Sequence, residues 1–391
     1  MPTALGGTAN AGIVRSSGTV GCYLVLAFFT FMLTLQGTIA PFLKTDLNLS
    51  YRTVGLHASA IAIGAILVGL LGERAVRRHG RRRVLMLGVF GCMAGAVLLA
   101  VAPGPAVSIA GCALIGIGGS FLPTIAFAIL ADLHGARRSL VINEAAALNY
   151  AFAMLAPLLT GFCVWLTLGW RGAVLISAAI GGVVFLACRG IAVPEATVQP
   201  AQSPTVRLPR AFWLFWCAQT FAIAIEYSIL LWASEFLERV IGLDKAAAAS
   251  GAAAFVLGMF IGRASGNLWA RVIAAPALLV VQLAITLAGF LIYWGASQPG
   301  VAIGGLFILG TGVSLLFPLT VSLALGAAGP ASDAASARST IALGVALLTM
   351  PVMLGALADH AGLRNAHWLV PILILATLVA FGFGQMLDRG R

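Results

Sequence analysis

The stretch QTFAIAIEYSILLW, residues 219 to 232, carries one acidic side chain in the middle of an otherwise uncharged apolar run. Glu226 is the only carboxylate of the chain placed well away from both ends of such a run. Ionisable groups are costly to bury in hydrocarbon, and those retained there commonly serve a path for protons or ions. Glu226 is therefore read as a group that takes up and releases a proton, or that faces a cationic ligand. The competing reading is a protonated carboxyl tied to a neighbouring helix as structural glue. Gln219 precedes Glu226 by seven residues and so shares its helical face, a spacing that Thr220 and Tyr227 repeat.

A few other polar side chains could join it. Glu144, in NEAAALNY (143–150), lies about one turn into its apolar run, where it belongs to the same site or pairs at the membrane interface with Arg137 or Arg138. Asn149 and Tyr150 lie deeper in that run. Gln36, between Thr34 and Thr38, offers a hydrogen bond to a cavity or to a neighbouring helix. Ser120 and Thr124 flank Pro123, and Ser314 and Thr320 flank Pro318. Their hydroxyls contact a ligand or satisfy backbone groups that proline leaves free. Tyr227 and Trp232 offer rings for stacking, although a Trp near the end of a run is equally a boundary anchor. His57 is either a proton relay or a packed side chain.

The elements that must position these residues follow from composition. Of 391 residues, 61% are hydrophobic and only 9% charged, with a mean hydropathy of +1.03. A water-soluble domain carries roughly a quarter charged residues, so this chain lacks a polar surface. The net charge of +11 sits in gaps between apolar stretches and forms no basic face interleaved with aromatics. It reads as membrane loops, not as a nucleic-acid site. The six cysteines form no CxxC pair and read as small packing residues.

A membrane span takes about 20 apolar residues. Twelve are expected, over 18–43, 53–73, 84–102, 106–131, 140–167, 172–193, 210–236, 246–263, 273–295, 300–327, 339–359 and 366–387. Two over-long runs break at Pro103-Gly104-Pro105 and Gln298-Pro299-Gly300, each a hairpin turn. The first span has no basic leader or small-residue cleavage site and is read as retained. With the N-terminus inside, 17 of the 23 Lys and Arg fall on the cytoplasmic side. The expected organisation is a tail (1–17), a six-helix bundle (18–193), a Pro-rich cytoplasmic linker (194–209), a second bundle (210–387) and a short tail (388–391), both tails being cytoplasmic.

The two bundles share a pattern. GIGGSFLP (116–123) returns as GTGVSLLFP (310–318), and a shift of 194 residues also aligns Gly64 with Gly258, Pro157 with Pro351 and Gly161 with Gly355. Parallel six-helix repeats belong to transporters that rock two halves about a central site. The chain resembles the major facilitator superfamily over essentially its full length. The residues that carry the resemblance are the basic loop GERAVRRHGRRR (72–83), GWR (169–171), APLLTG (156–161) and GALADHAGLR (355–364). Gly80-Arg81-Arg82 match the tail of the family's loop motif, while Arg77 stands where the family has Asp. Cys112 stands where proton-antiporting drug exporters carry an intramembrane Arg, four residues before Gly116.

The resemblance implies an all-α protein of two six-helix bundles in pseudo-two-fold arrangement. It also implies alternating access, with a cavity lined mainly by spans 1, 4, 7 and 10. A conformational latch is expected in which Arg77, Arg78 or Arg81 meets Asp132 or Glu73. No phosphate-binding loop, HExxH or other metal-ligand pattern occurs, so no cofactor and no catalytic residue is expected. No Lys or Arg is expected in the middle of any span, which favours a neutral or cationic organic solute over a small anion. The reading is a monomeric, proton-coupled secondary transporter in the cytoplasmic membrane, whose partners are the solute, protons and lipid. An uncoupled facilitator, a drug-efflux antiporter and a non-transporting sensor are the alternatives.

Overall fold

The computed structural model describes residues 15–135, 138–191, 208–329 and 332–389. The linker expected over 194–209 lies outside these apart from Leu208 and Pro209, as do residues 1–14, Gly390 and Arg391.

Among the described residues every regular element is a helix, and twelve spans are long and apolar enough to cross a membrane. Spans 1 to 6 are Ser17–Asp46, Tyr51–Gly72, Arg81–Ala100, Pro105–His134, Glu144–Trp165 and Gly169–Cys188. Spans 7 to 12 are Arg210–Arg239, Lys245–Val272, Ala275–Gly295, Pro299–Ala328, Ile341–Ala361 and Leu363–Arg389. Alternation puts Arg81, Arg189, Arg210 and Arg271 at one end of the bundle, the basic end. Asp46, Tyr51, Arg239 and Asp359 mark the far end. Side chains turned outward are apolar, as at Leu70, Val183 and Met386, which suits lipid as the surrounding solvent.

Local signals explain the helix ends. Ser50 and Asp244 (residues 194 apart) both cap helices at the far end, Ser50 Oγ accepting from Thr53 N and Asp244 Oδ1 from Ala246 N and Ala247 N. Both expected hairpins form, with Pro105 and Pro299 opening the second helix of each, where a missing N–H is harmless. Pro157 cannot donate to the carbonyl of Ala153, and span 5 breaks at Met154. Pro318 likewise opens span 10 at Ser314 and Leu315. Their counterparts Pro351 and Pro123 lie inside unbroken helices, so the repeat keeps the prolines without keeping the breaks.

Span 8 differs most from expectation. It was expected to end at Arg263, yet its helix runs on to Val272. Leu268, Trp269 and Val272 extend its apolar surface past the arginine, which thus lies within the membrane.

Two buried clusters form the interior, one built on residues such as Met32, Leu35, Cys92 and Ile115, the other on Phe215, Phe236, Phe290 and Leu309. All six cysteines are free, and five are buried. Without a hydrophobic drive between helices in lipid, close backbone approach at small residues supplies the packing. A side chain on Gly116 would collide with the backbone of Ile61, and one on Gly310 with that of Phe255, a pair of partners also 194 residues apart. Between the clusters, Gly161 of span 5 rests on Ala246 and Ser250 of span 8, while Gly355 of span 11 rests on Tyr51 and Arg52 of span 2. The sequence repeat is thus also a repeat of contacts.

Gly304, on the same span as Gly310, has open space where a Cβ would go. Gly310→Ala is expected to cost about 1–3 kcal/mol through overpacking. Gly304→Ala should stabilise by about 0.5–1 kcal/mol through helix propensity. Thermal unfolding of the detergent-purified variants separates them; equal behaviour would mean that the close approach at Gly310 is not stabilising.

Candidate functional site

Glu226 lies near the midpoint of span 7 and is 7% exposed. Tyr150 of span 5 donates its hydroxyl to Glu226 Oε1 at 3.0 Å. Arg263 of span 8 brings Nη2 to 3.8 Å from Glu226 Oε2. The guanidinium also stacks over the Tyr150 ring, 4.1 Å from its centroid. Arg263 lies nine residues before the end of its helix at Val272, about 14 Å inside at 1.5 Å per residue. The expectation of spans free of mid-membrane cations is corrected here. The sequence signal was available in the apolar residues that continue span 8 beyond Arg263.

The pair is loose: 3.8 Å is beyond hydrogen-bond reach, and Arg263 Nε is buried without a partner. Beside it lies a small cavity of about 20 Å³, walled by Thr30 and Thr34 of span 1, Tyr150, Tyr227 and Met259. That is room for about one water. A second cavity of about 30 Å³ continues past Tyr227 and Leu230 to Gln36, Ile61 and Pro351. Spans 1, 2, 5, 7, 8 and 11 line the two, so Glu226 sits on the seam between the six spans before residue 191 and the six after residue 208.

The other expected residues divide. Tyr150 and Tyr227 are at Glu226, and Gln36 lines the second cavity with its Nε2 unpartnered and its Oε1 accepting from Cys112 Sγ at 3.4 Å. Asn149 is buried, with Oδ1 unpartnered. Gln219 instead ties span 7 to the span 11 helix, donating Nε2 to Ser339 O at 3.0 Å. The hydroxyls of Ser120 and Ser314 each donate to a carbonyl of their own helical run, Gly116 O and Thr311 O, at 2.7 Å. Thr124 and Thr320 do likewise, so all four serve the backbone. Trp232 is fully buried edge-on against Tyr51, a packing contact between the halves. His57 bonds Thr53 O and Ser108 Oγ and is a packed side chain. Glu144 meets Arg15 Nη2 at 2.7 Å and the Tyr23 hydroxyl at 2.9 Å, which makes it an anchor for the start of span 1. Arg137 and the side chain of Arg138 lie outside the described residues.

At the basic end Arg81 Nη1 meets Asp132 Oδ2 at 2.5 Å, joining span 3 to the end of span 4. The side chain of Glu73 lies outside the described residues. At the far end the sequence reading missed a polar seam. Asp359 of span 11 accepts from Tyr51 N at 2.8 Å and Arg52 N at 2.9 Å, capping span 2 across the halves. Glu235 of span 7, 1% exposed, faces Lys44 of span 1 at 3.7 Å and Arg239 at 3.6 Å. Its i,i+4 Arg239 and its place near a run end made it look like an interfacial charge. The GWR segment also has a bonded role: Trp170 Nε1 and Arg171 Nη1 both meet Asp46 Oδ2, at 2.7 and 2.5 Å, holding span 6 to the end of span 1.

The fold and a charged site on its central seam define a membrane transport protein. The model of the Major Facilitator Superfamily matches residues 22–341, and the chain belongs to that family. It is similar to the multidrug resistance protein MdtL of Escherichia coli, 25% identical over 360 residues and covering 90% of each chain. MdtL of Citrobacter koseri is 24% identical over 347 residues, 87% of each chain. Among solved structures, a bacterial homolog of the human lysosomal transporter Spinster, inward-facing and unoccupied, superposes with a TM-score of 0.75 at 16% identity over 97% of this chain and 98% of that one. The nucleoside transporter NupG gives 0.77 at 13% identity over 95% and 99%. A D-xylose-proton symporter gives 0.75 at 16% identity over 94% and 96%.

Removing one partner of a buried ion pair strands the other charge, at a cost of about 3–5 kcal/mol. Arg263→Gln is therefore expected to destabilise the protein by about that amount. The double change Glu226→Gln with Arg263→Gln should recover most of it, measured by thermal unfolding as a double-mutant cycle. At the far end, Asp359→Ala removes the cap that the other half places on span 2 and leaves that of Ser50. Spin labels at Arg52 and Ala361 should then report a longer or broader distance distribution, whereas an unchanged distribution would leave the cap without a part in closure.

Proposed function

We propose that the protein is a proton-coupled secondary transporter that moves a small organic compound across the cytoplasmic membrane by alternating access of the bundles 18–193 and 210–387. The observation that carries the reading is Glu226, a mid-membrane carboxylate on the seam whose hydrogen bond from Tyr150 and ion pair with Arg263 both depend on its charge. An ionised acceptor makes a hydrogen bond roughly twice as strong as a neutral one. The Tyr150 contact crosses from span 5 to span 7, so protonation of Glu226 loosens a tie between the halves at mid-depth. It also leaves Arg263 without its counter-charge. Proton state and the rocking of the halves are thereby linked.

The expectation of a neutral or cationic solute narrows to a neutral one, because Arg263 opposes a cation at the pair. Tyr150, Tyr227 and the apolar cavity walls suit an amphipathic compound that can use both ring faces and one or two hydrogen bonds. The multidrug resistance relatives support export as the direction. The excess of Arg at the basic end supports a cytoplasmic location for that end and for both termini. The Asp359 and Glu235 contacts then close the outward side of a monomer.

Inverted vesicles with an imposed proton gradient test this with a neutral amphipathic dye, Nile red, and a cationic one, ethidium. Gradient-driven accumulation of Nile red is expected, with little of ethidium. Glu226→Gln keeps shape and hydrogen bonding but cannot ionise. It should reduce driven accumulation by at least about tenfold, equivalent to roughly 1.4 kcal/mol of lost coupling, while Nile red exchange continues. Driven accumulation equal to the parent's would make Glu226 a structural residue.

A further inference from the structure

The basic end carries a feature that the transport reading does not use. Arg82 and Arg83, at the start of span 3, and Arg189, one residue past the end of span 6, surround a groove of about 510 Å³ between the two spans. Its floor is apolar: Met86, Leu87, Phe90 and Phe185. Leu87 and Phe90 are 61% and 58% exposed. Arg81, next in the chain, is held by Asp132, whereas Arg82, Arg83 and Arg189 have no carboxylate partner among the described residues.

We infer that this groove binds the headgroup and upper acyl chain of an anionic phospholipid. Three guanidiniums from two helices, without a carboxylate partner among the described residues, match a phosphodiester that bears net negative charge, and guanidinium is the side chain best shaped for phosphate oxygens. Among the described residues no acidic side chain lines the groove to receive the ammonium of a zwitterionic headgroup. The floor begins where the arginines end. Phe90 lies seven residues beyond Arg83, about 10 Å deeper along the helix, which is the level of the first acyl carbons below a headgroup. A free phosphate would use the arginines and leave the floor bare, so charge and apolar wall together select a lipid. The site requires only that this end of the bundle meet a headgroup layer, and so stands independently of the substrate and of proton coupling.

The test uses the full chain in a neutral detergent, titrated with phosphatidylglycerol, phosphatidylcholine or inorganic phosphate and observed by native mass spectrometry. Phosphatidylglycerol should be retained over phosphatidylcholine by at least about fivefold, the factor expected from one basic side chain at a lipid surface. R82Q/R83Q/R189Q should abolish that preference, and R189Q alone, on the other helix, should lower it by about half or more. R74Q/R210Q/R271Q removes the same charge from exposed positions at the same end and should keep the preference. Phosphate in excess should not displace the retained phosphatidylglycerol. Equal retention of the two lipids by the parent would overturn the site. Equal loss in both triple variants would replace it with diffuse surface charge, and displacement by phosphate would reduce it to an anion site without a lipid wall.

Discussion

Hydrocarbon offers no partner to a backbone amide or to a charged side chain, and that constraint governs the whole molecule. Most of each span's backbone is satisfied within its own helix, so helices meet mainly through shape and through the few polar groups they carry. Glycines supply the shape. At Gly116 and Gly310 the backbones of spans 4 and 10 lie directly on those of spans 2 and 8. The same device joins the halves at Gly161 and Gly355. Polar side chains that are not needed for chemistry are turned back onto their own helices, as Ser120, Thr124 and Thr320 are.

Against that background, a carboxylate and a guanidinium facing each other at mid-membrane are an expensive arrangement that only a partner on another helix makes tolerable. Glu226 and Arg263 come from adjacent spans of one half, and Tyr150 comes from the other. The pair is held loosely enough for its charges to part and is flanked by space for about one water. At the far end the polar contacts are of a different kind. Asp359 caps a helix of the opposite half, and Glu235 sits among Lys44 and Arg239. The Asp359 contacts cross the seam at an exposed position, where breaking them costs little, whereas Glu235 is buried and needs its cationic neighbours.

Much of the fold was legible in the sequence because membrane spans announce themselves by length and apolarity. The twelve spans, the hairpins at Pro105 and Pro299 and the repeat that pairs Gly116 with Gly310 needed no coordinates. Glu226 stood out for the same reason: a charge inside an apolar run has no innocent explanation in composition. Arg263 did not stand out, because a charge with a few polar neighbours (Ser265, Asn267) reads as the end of a helix. Glu235 was hidden in the same way, four residues from Arg239 at the close of span 7.

The sequence by itself determined what is periodic along the chain: which segments cross the membrane, where they turn, that the pattern recurs after 194 residues, and that one carboxylate lies deep. Tertiary structure decided which side chains meet. Gln219 and Glu226 share a helical face in the sequence, yet one is spent on the span 11 helix and the other faces the seam. Pro157 and Pro351 share a repeat position, yet only one breaks its helix. The physical reason is that hydropathy is a property of each residue with its solvent, whereas a partner is a property of two helices in contact. In lipid that contact is selected by close packing, which a single strand of sequence does not encode locally.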